Sequence, residues 1–190
     1  MKIKYNAPTV LTFAFLSAAI LVLSQTIAHS LTLQWFMVPG KNSFSPASIR
    51  SWVTLFTNVL GHRNWPHLVA NLSFILLIGP ILEEIYGSTP LFVMICITAL
   101  VTGVLNILLF SSGLLGASGV VFMMILLASF TNFSKGEIPL TFILVLVLYL
   151  GREIYNAFGS SSTDDISQFA HIAGGFIGSL FGFFRVNIKR

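Results

Sequence analysis

Long apolar segments alternate with short polar connections along the chain. Six of these segments are predicted to be transmembrane helices, since a helix needs roughly 20 residues to cross the hydrocarbon core of a bilayer. They cover approximately residues 8–30, 66–86, 90–110, 117–130, 138–155 and 167–184. The fourth segment is short for a full span. The pattern predicts an all-α, polytopic membrane protein with six transmembrane helices in a single membrane domain, residues 1–190.

The connection between the first two segments differs from the others. It carries Lys41 and Arg50, but also the large aromatic residues Trp35, Trp52 and Phe56. This mixture is typical of chain that lies at a membrane interface. We therefore expect an ordered loop that contains short helices, rather than a flexible linker.

The composition agrees with a membrane protein and argues against a soluble domain. Hydrophobic residues make up 55% of the 190 residues, charged residues make up 8%, and the mean hydropathy is +0.89. A soluble domain is usually about one quarter charged, so this chain has too little charge to cover a water-facing surface. The lipid bilayer is therefore the expected partner of most of its surface.

The net charge of +4 is modest, and basic residues cluster at the two ends of the chain. Such clusters suit membrane-flanking segments better than nucleic-acid binding, so no nucleic-acid partner is expected. With six spans, six basic residues fall on the side of the termini and four fall on the other side. The terminal clusters lie closest to the helix ends, which predicts that both termini are cytoplasmic.

Two polar residues stand near the starts of predicted helices. Ser118 lies in Gly116-Ala117-Ser118-Gly119 at the start of the fourth helix, and His171 lies near the start of the sixth. Polar side chains in apolar segments are costly unless they have partners or a task. Both helices descend from the side opposite the termini, and a rise of 1.5 Å per residue puts His171 roughly 6 Å along its helix. A serine and a histidine at similar depth form a candidate nucleophile and base.

The second predicted helix adds two hydrogen-bond donors at the same end of the bundle. His67 and Asn71 are four residues apart and therefore share one face of that helix. Donors aimed at a developing oxyanion are often the largest catalytic contribution in acyl transfer. Together with Ser118 and His171, they supply the parts of a hydrolase centre, namely a nucleophile, a base and an oxyanion hole.

Glycines near the polar residues predict close helix packing. Gly116 and Gly119 flank the serine, and Gly174 and Gly178 follow the histidine on the sixth helix. Small residues four positions apart let two helix backbones approach closely in a membrane. We therefore expect the fourth and sixth helices to touch. On this account, Gly174→Val separates the helices and abolishes activity while the protein still inserts.

These residues fall in four short motifs that occur in a fixed order. All four motifs resemble motifs of the rhomboid intramembrane serine proteases. Residues 116–119 resemble their GxSG motif, and residues 170–178 resemble their AHxxGxxxG motif. On the second helix, residues 67–71 resemble their HxxxN motif, and residues 79–87 resemble their GxxxExxxG motif. The resemblance covers about residues 52–184. Each motif is weak alone, but four motifs in this order on a six-helix scaffold are highly specific.

The resemblance implies a role for each candidate residue. Ser118 would attack the scissile carbonyl, and His171 would take its proton and return it to the leaving amine, as a dyad without an acidic third member. Asn71, His67 and the backbone N–H of Ser118 would stabilise the oxyanion. Phe122 stands where rhomboids often have tyrosine, and its ring would pack on His171.

The resemblance also implies the setting of the reaction. Residues 111–115 would form a membrane-embedded loop that delivers Ser118 to the fourth helix. No metal or cofactor is expected, and the substrates would be transmembrane segments of other proteins. Resemblance to bacterial members implies a location in the inner membrane. The sequence specifies no oligomeric state.

Each feature also has a purely structural interpretation. Small residues in transmembrane helices usually serve packing, and His171 alone would be explained by a hydrogen bond between helices. His62 and His67 lie near Trp65, an interface anchor, and for His62 an interfacial role is the preferred interpretation. Two other functions stay open: a non-proteolytic rhomboid-like protein that binds membrane clients and, with less support, a small transporter.

Overall fold

The computed structural model describes residues 2–130 and 165–188, together with six isolated helical positions between residues 140 and 151. In the last helix, side chains are described for residues 169–184. The predicted fifth helix, residues 138–155, lies outside the described residues apart from those isolated positions.

Helices form almost all of the regular structure in the described residues. Apart from the isolated positions, these residues form seven α-helices: α1 (Pro8–Thr26), α2 (Leu31–Trp35), α3 (Ile49–Thr57), α4 (Trp65–Tyr86), α5 (Ser88–Leu109), α6 (Ser118–Ser129) and α7 (Asp165–Ile188). A 3₁₀ turn, Asn58–Leu60, follows α3. The described residues contain no β-strand, only an isolated bridge between Val38 and Leu114. The predicted all-α fold class is confirmed.

The helices α1, α4 and α5 are long and apolar enough to cross a membrane, judged by length and composition. The helix α6 and residues 169–184 of α7 are shorter apolar helices. The helix α1 ends at Thr26, four residues before the predicted end, and the chain continues into the first loop, residues 27–64, which holds α2 and α3. The helix α7 extends beyond the predicted segment, residues 167–184, at both ends.

The helix α6 lies in the interior of the bundle. All of its residues from Gly119 to Leu127 are buried, and it packs against α4, α5 and α7. A helix that is hydrophobic all round has no face for solvent and belongs in a core. Because Gly116 and Ala117, directly before α6, are also buried, a helix of 12 residues is sufficient at this place.

A buried carboxylate joins the start of α1 to the end of α4. Glu83 Oε1 accepts a hydrogen bond from the N–H of Thr9 at 2.8 Å, and Oε2 accepts one from the N–H of Val10 at 3.0 Å. The first N–H groups of a helix have no partner within it, and a negative charge is favourable at this end. One turn earlier, a Cβ at Gly79 would lie 2.7 Å from a methyl carbon of Val10. The absence of a side chain there lets the two helices come close enough for Glu83 to cap α1.

Glu83→Ala should lower the free energy of unfolding by about 1–3 kcal/mol, because two N–H groups at the start of α1 lose their acceptor. Unfolding by denaturant in mixed micelles measures this change. Glu84→Ala is the matched control, since Glu84 is the adjacent acidic residue and its side chain is exposed. Equal unfolding free energies for the two variants would contradict the capping role.

Candidate active site

Ser118 is the first residue of α6, at the end of the bundle opposite the Glu83 cap. Its neighbours Ala117 and Gly119 are buried, whereas Ser118 itself is partly exposed. The first hydrogen bond of the helix runs from the N–H of Val121 to the carbonyl of Ala117, at 2.9 Å. The N–H groups before it have no partner inside the helix, and the positive end of the helix dipole favours an anion there. The hydroxyl of Ser118 is thus accessible at a helix end suited to negative charge.

The helices α6 and α7 run parallel and touch through their backbones. A methyl group at Gly174 would collide with the carbonyl oxygen of Gly119, and one at Gly178 would collide with the carbonyl oxygen of Met123. A step of four residues on α6 therefore matches a step of four on α7, which keeps the helices in one register. The structure places three of the four predicted packing glycines, Gly119, Gly174 and Gly178, in this contact.

His171 lies on α7 with its ring stacked on Phe122 of α6. The ring centroids are 4.3 Å apart and the ring planes differ by 6°. Phe122 is one turn after Ser118, so the two side chains project from the same side of α6. The carbonyl oxygen of Ala170 would lie 3.3 Å from a Cβ at Gly119, so the backbone next to His171 also borders the start of α6. The structure therefore brings the serine and the histidine to one corner of the α6–α7 contact.

His67 lies over the backbone just before Ser118. A Cβ at Gly116 would be 2.6 Å from Cε1 and 2.7 Å from Nε2 of His67. Gly116 also has φ of +122°, which side chains rarely tolerate, and its N–H donates to the carbonyl of Asn58 at 3.0 Å. Position 116 therefore needs glycine for both its conformation and its contact. The predicted packing role of Gly116 is thus toward His67, not toward α7.

Asn71 lies one turn beyond His67 on α4 and is 6% exposed. Its Nδ2 is buried and has no hydrogen-bond partner among the described residues. A buried donor without a partner costs about 1–3 kcal/mol. Such an exception calls for an explanation, and a catalytic role is one that applies to a group at this place. The side-chain nitrogen of Asn71 is thus an unpaired hydrogen-bond donor near His67.

His62 is buried within the protein, where it is 1% exposed. Its ring meets the ring of His67 edge-on, with centroids 5.1 Å apart, and its Nδ1 lies 3.2 Å from the carbonyl oxygen of Leu60. Burial first, and then the neighbouring His67, lower the pKa of His62 to about 4, so His62 is neutral at pH 7. His62 therefore packs behind His67 without adding a charge. No apolar pattern in its local sequence predicts this burial.

Hydrogen bonds fasten the pre-α6 loop, residues 110–117, to the first loop. Val38 and Leu114 exchange two backbone hydrogen bonds, of 2.9 and 3.0 Å. The side-chain amide of Asn106 donates to the carbonyl of Ser112 at 3.1 Å, inside the pre-α6 loop. Non-helical backbone at membrane depth has to be satisfied by protein, and these bonds supply part of that need. The sequence motifs gave no sign of these pairings.

Comparison with known proteins identifies the family. Residues 50–188 match the Rhomboid domain. A protein of Arabidopsis thaliana named Rhomboid-like protein 11, chloroplastic, is 23% identical over 158 residues, which are 76% of this chain and 56% of that protein. This chain thus spans little more than half the length of that relative. Because the domain match takes in well over half of the chain, the chain belongs to the rhomboid family, and its apolar helices make it a multi-pass membrane protein.

Gly174→Ala should weaken the α6–α7 contact, because its methyl group would collide with the backbone of Gly119. A backbone cannot change rotamer to relieve such a collision. We expect the free energy of unfolding to fall by about 1–3 kcal/mol. Thermal unfolding of the purified protein in detergent measures this effect.

Gly175→Ala is the matched control for this substitution. It changes the adjacent residue in the same helix, and its Cβ would lie 3.6 Å from Cγ of Leu126, an ordinary contact. Both variants gain the same helix propensity, so their difference isolates the collision. Equal stability of Gly174→Ala and Gly175→Ala would argue against the close-packing account.

Proposed function

We propose that this member of the rhomboid family is an intramembrane serine endopeptidase with Ser118 and His171 as its catalytic dyad. The observation that carries the proposal is the stack of His171 on Phe122, one helical turn from Ser118. A serine hydroxyl is a weak nucleophile until an adjacent base accepts its proton. An imidazole in this position supports the role of that base.

In the proposed reaction, Ser118 Oγ attacks the scissile carbonyl carbon while His171 accepts its proton. Asn71 Nδ2, the ring of His67 and the N–H of Ser118 stabilise the oxyanion that forms. His171 then donates the proton to the leaving amine, and a water molecule activated by the same histidine hydrolyses the acyl-enzyme. The buried amide of Asn71 and the position of His67 over Gly116 support their roles as donors.

The proposed substrates are transmembrane segments of other membrane proteins. The start of α6 lies within a bundle of apolar helices, so a peptide reaches it most directly from the bilayer. Helical hydrogen bonds hide the carbonyl groups of a substrate, so residues that destabilise its helix should favour cleavage. We also propose cytoplasmic termini, which the terminal basic residues support, and a bacterial inner membrane, which the resemblance to bacterial members supports.

A client-binding member of the family without proteolytic activity is the alternative. The relative described above is named rhomboid-like, and an identity of 23% is too low to assign an activity to this chain. A client-binding protein needs neither the hydroxyl of Ser118 nor the imidazole of His171. Substitution of these two residues therefore separates the two functions.

Ser118→Ala and His171→Ala should each lower the rate of cleavage by about 10⁴-fold or more, since the members of a dyad act as a unit. Cleavage of a single-span substrate by the purified protein in liposomes, with the products identified by mass spectrometry, measures this loss. Ser73→Ala and His29→Ala are the matched controls, because both side chains are exposed and lie outside the candidate site.

The outcomes of this experiment distinguish the hypotheses. Full activity of either Ser118→Ala or His171→Ala would exclude the dyad mechanism. A folded wild-type protein that binds a client but neither cleaves it nor reacts with a fluorophosphonate at Ser118 would favour the client-binding function.

Asn71→Leu should lower kcat by about 10²–10³-fold with a smaller change in KM, because an oxyanion donor acts on the transition state. The free energy of unfolding should stay equal or rise, since the substitution removes a buried donor without a partner. Asn58→Leu is the structural comparison: its amide donates to the carbonyls of Thr54, Leu55 and Ala99, so its loss should destabilise the protein. A fully active but less stable Asn71→Leu protein would contradict the proposed role.

A further inference from the structure

A groove on the side of α1 and α5 contains none of the candidate site residues. Its volume is about 340 Å³, within the usual range for a ligand pocket. Side chains between Pro8 and Leu16 form one wall, Phe92 and Cys96 form the other, and Leu60 of the first loop also lines it. Leu16 and Phe92 are about half exposed, so the groove opens sideways toward the bilayer.

The depth of the groove matches one leaflet of a membrane. The wall from Pro8 to Leu16 is about 12 Å of helix, whereas the hydrocarbon core is about 30 Å thick. Val59 and Leu60, from the chain just before α4, line the same groove. A transmembrane helix needs the full depth of the core, so this groove fits an acyl chain rather than a helix.

The mouth of the groove, at the start of α1, is polar and basic. Tyr5 Oη lies 2.9 Å from Thr12 Oγ1, and Thr12 lines the groove. This contact keeps the N-terminal segment beside the mouth, together with the exposed Lys2 and Lys4. Glu83, the buried acid at this end, is occupied by hydrogen bonds to α1. The positive charge of the two lysines is thus available to an anion at the membrane surface.

We propose that the groove binds one acyl chain of an anionic glycerophospholipid, with the phosphate of that lipid beside Lys2 and Lys4. The apolar walls hold the chain over the depth of one leaflet, and the lysines select the charge of the headgroup. The site depends on the membrane-spanning fold but not on proteolysis. It can therefore be tested in the Ser118→Ala protein as well as in the wild type.

The test uses the protein in nanodiscs with phosphatidylglycerol that carries a diazirine in one acyl chain. After irradiation, mass spectrometry should locate the label on the walls of the groove, around Thr12 and Cys96. Phosphatidylcholine with the same diazirine should label less, and Lys2→Ala and Lys4→Ala should each reduce the advantage of phosphatidylglycerol by about fivefold. Thr12→Trp, which fills the groove, should abolish the label.

Two further variants make this test decisive. Cys96→Phe fills the groove from its other wall, so it serves if Thr12→Trp fails to fold. Leu108→Trp adds the same bulk on an exposed part of α5 outside the groove and should leave the label unchanged. Equal labelling by the two lipids would overturn the selection of an anion. A label spread evenly over the exposed faces of α1, α4 and α5, or one displaced by a transmembrane peptide, would overturn the acyl-chain site.

Discussion

The contact between the backbones of Gly119 and Gly174 is the constraint on which the rest of the structure depends. Apolar side chains gain little by leaving lipid for protein, so helices in a bilayer associate through close van der Waals packing and hydrogen bonds. Backbone atoms have no rotamers, so a contact between them fixes both distance and register. Ser118 precedes Gly119 by one residue and His171 precedes Gly174 by three, so this register decides how the serine and the histidine face each other.

Hydrogen bonds to the pre-α6 loop, together with the packing of α6 against α7, hold Ser118 in place. The pre-α6 loop is not helical, so its polar groups need partners before it can lie at the depth of the membrane. Val38 pairs with Leu114, Asn58 accepts from Gly116, and Asn106 donates into the loop. The first loop and α5 thus hold the chain before Ser118, while α7 holds the chain after it.

The sequence predicted those parts of the site that follow from helical spacing. His67 and Asn71 share a face because they are four residues apart, and the glycines of the fourth and sixth helices predicted a contact that the structure contains. The burial of His62 and the pairing of Val38 with Leu114 were not predicted, because they depend on contacts between distant segments. The first loop has the mixed composition of an interface, and no local pattern shows which of its residues turn inward.

The Glu83 cap has a consequence for the synthesis of the protein. Glu83 and the Thr9 N–H that it binds are 74 residues apart in the chain. A ribosome that adds about 5–20 residues per second needs about 4–15 s to make this stretch. During that time water or lipid headgroups have to satisfy the start of α1, because its carboxylate partner does not yet exist. The first helix is thus made early and capped late, and a nascent chain without α4 presents an uncapped helix end to the machinery that inserts and degrades membrane proteins.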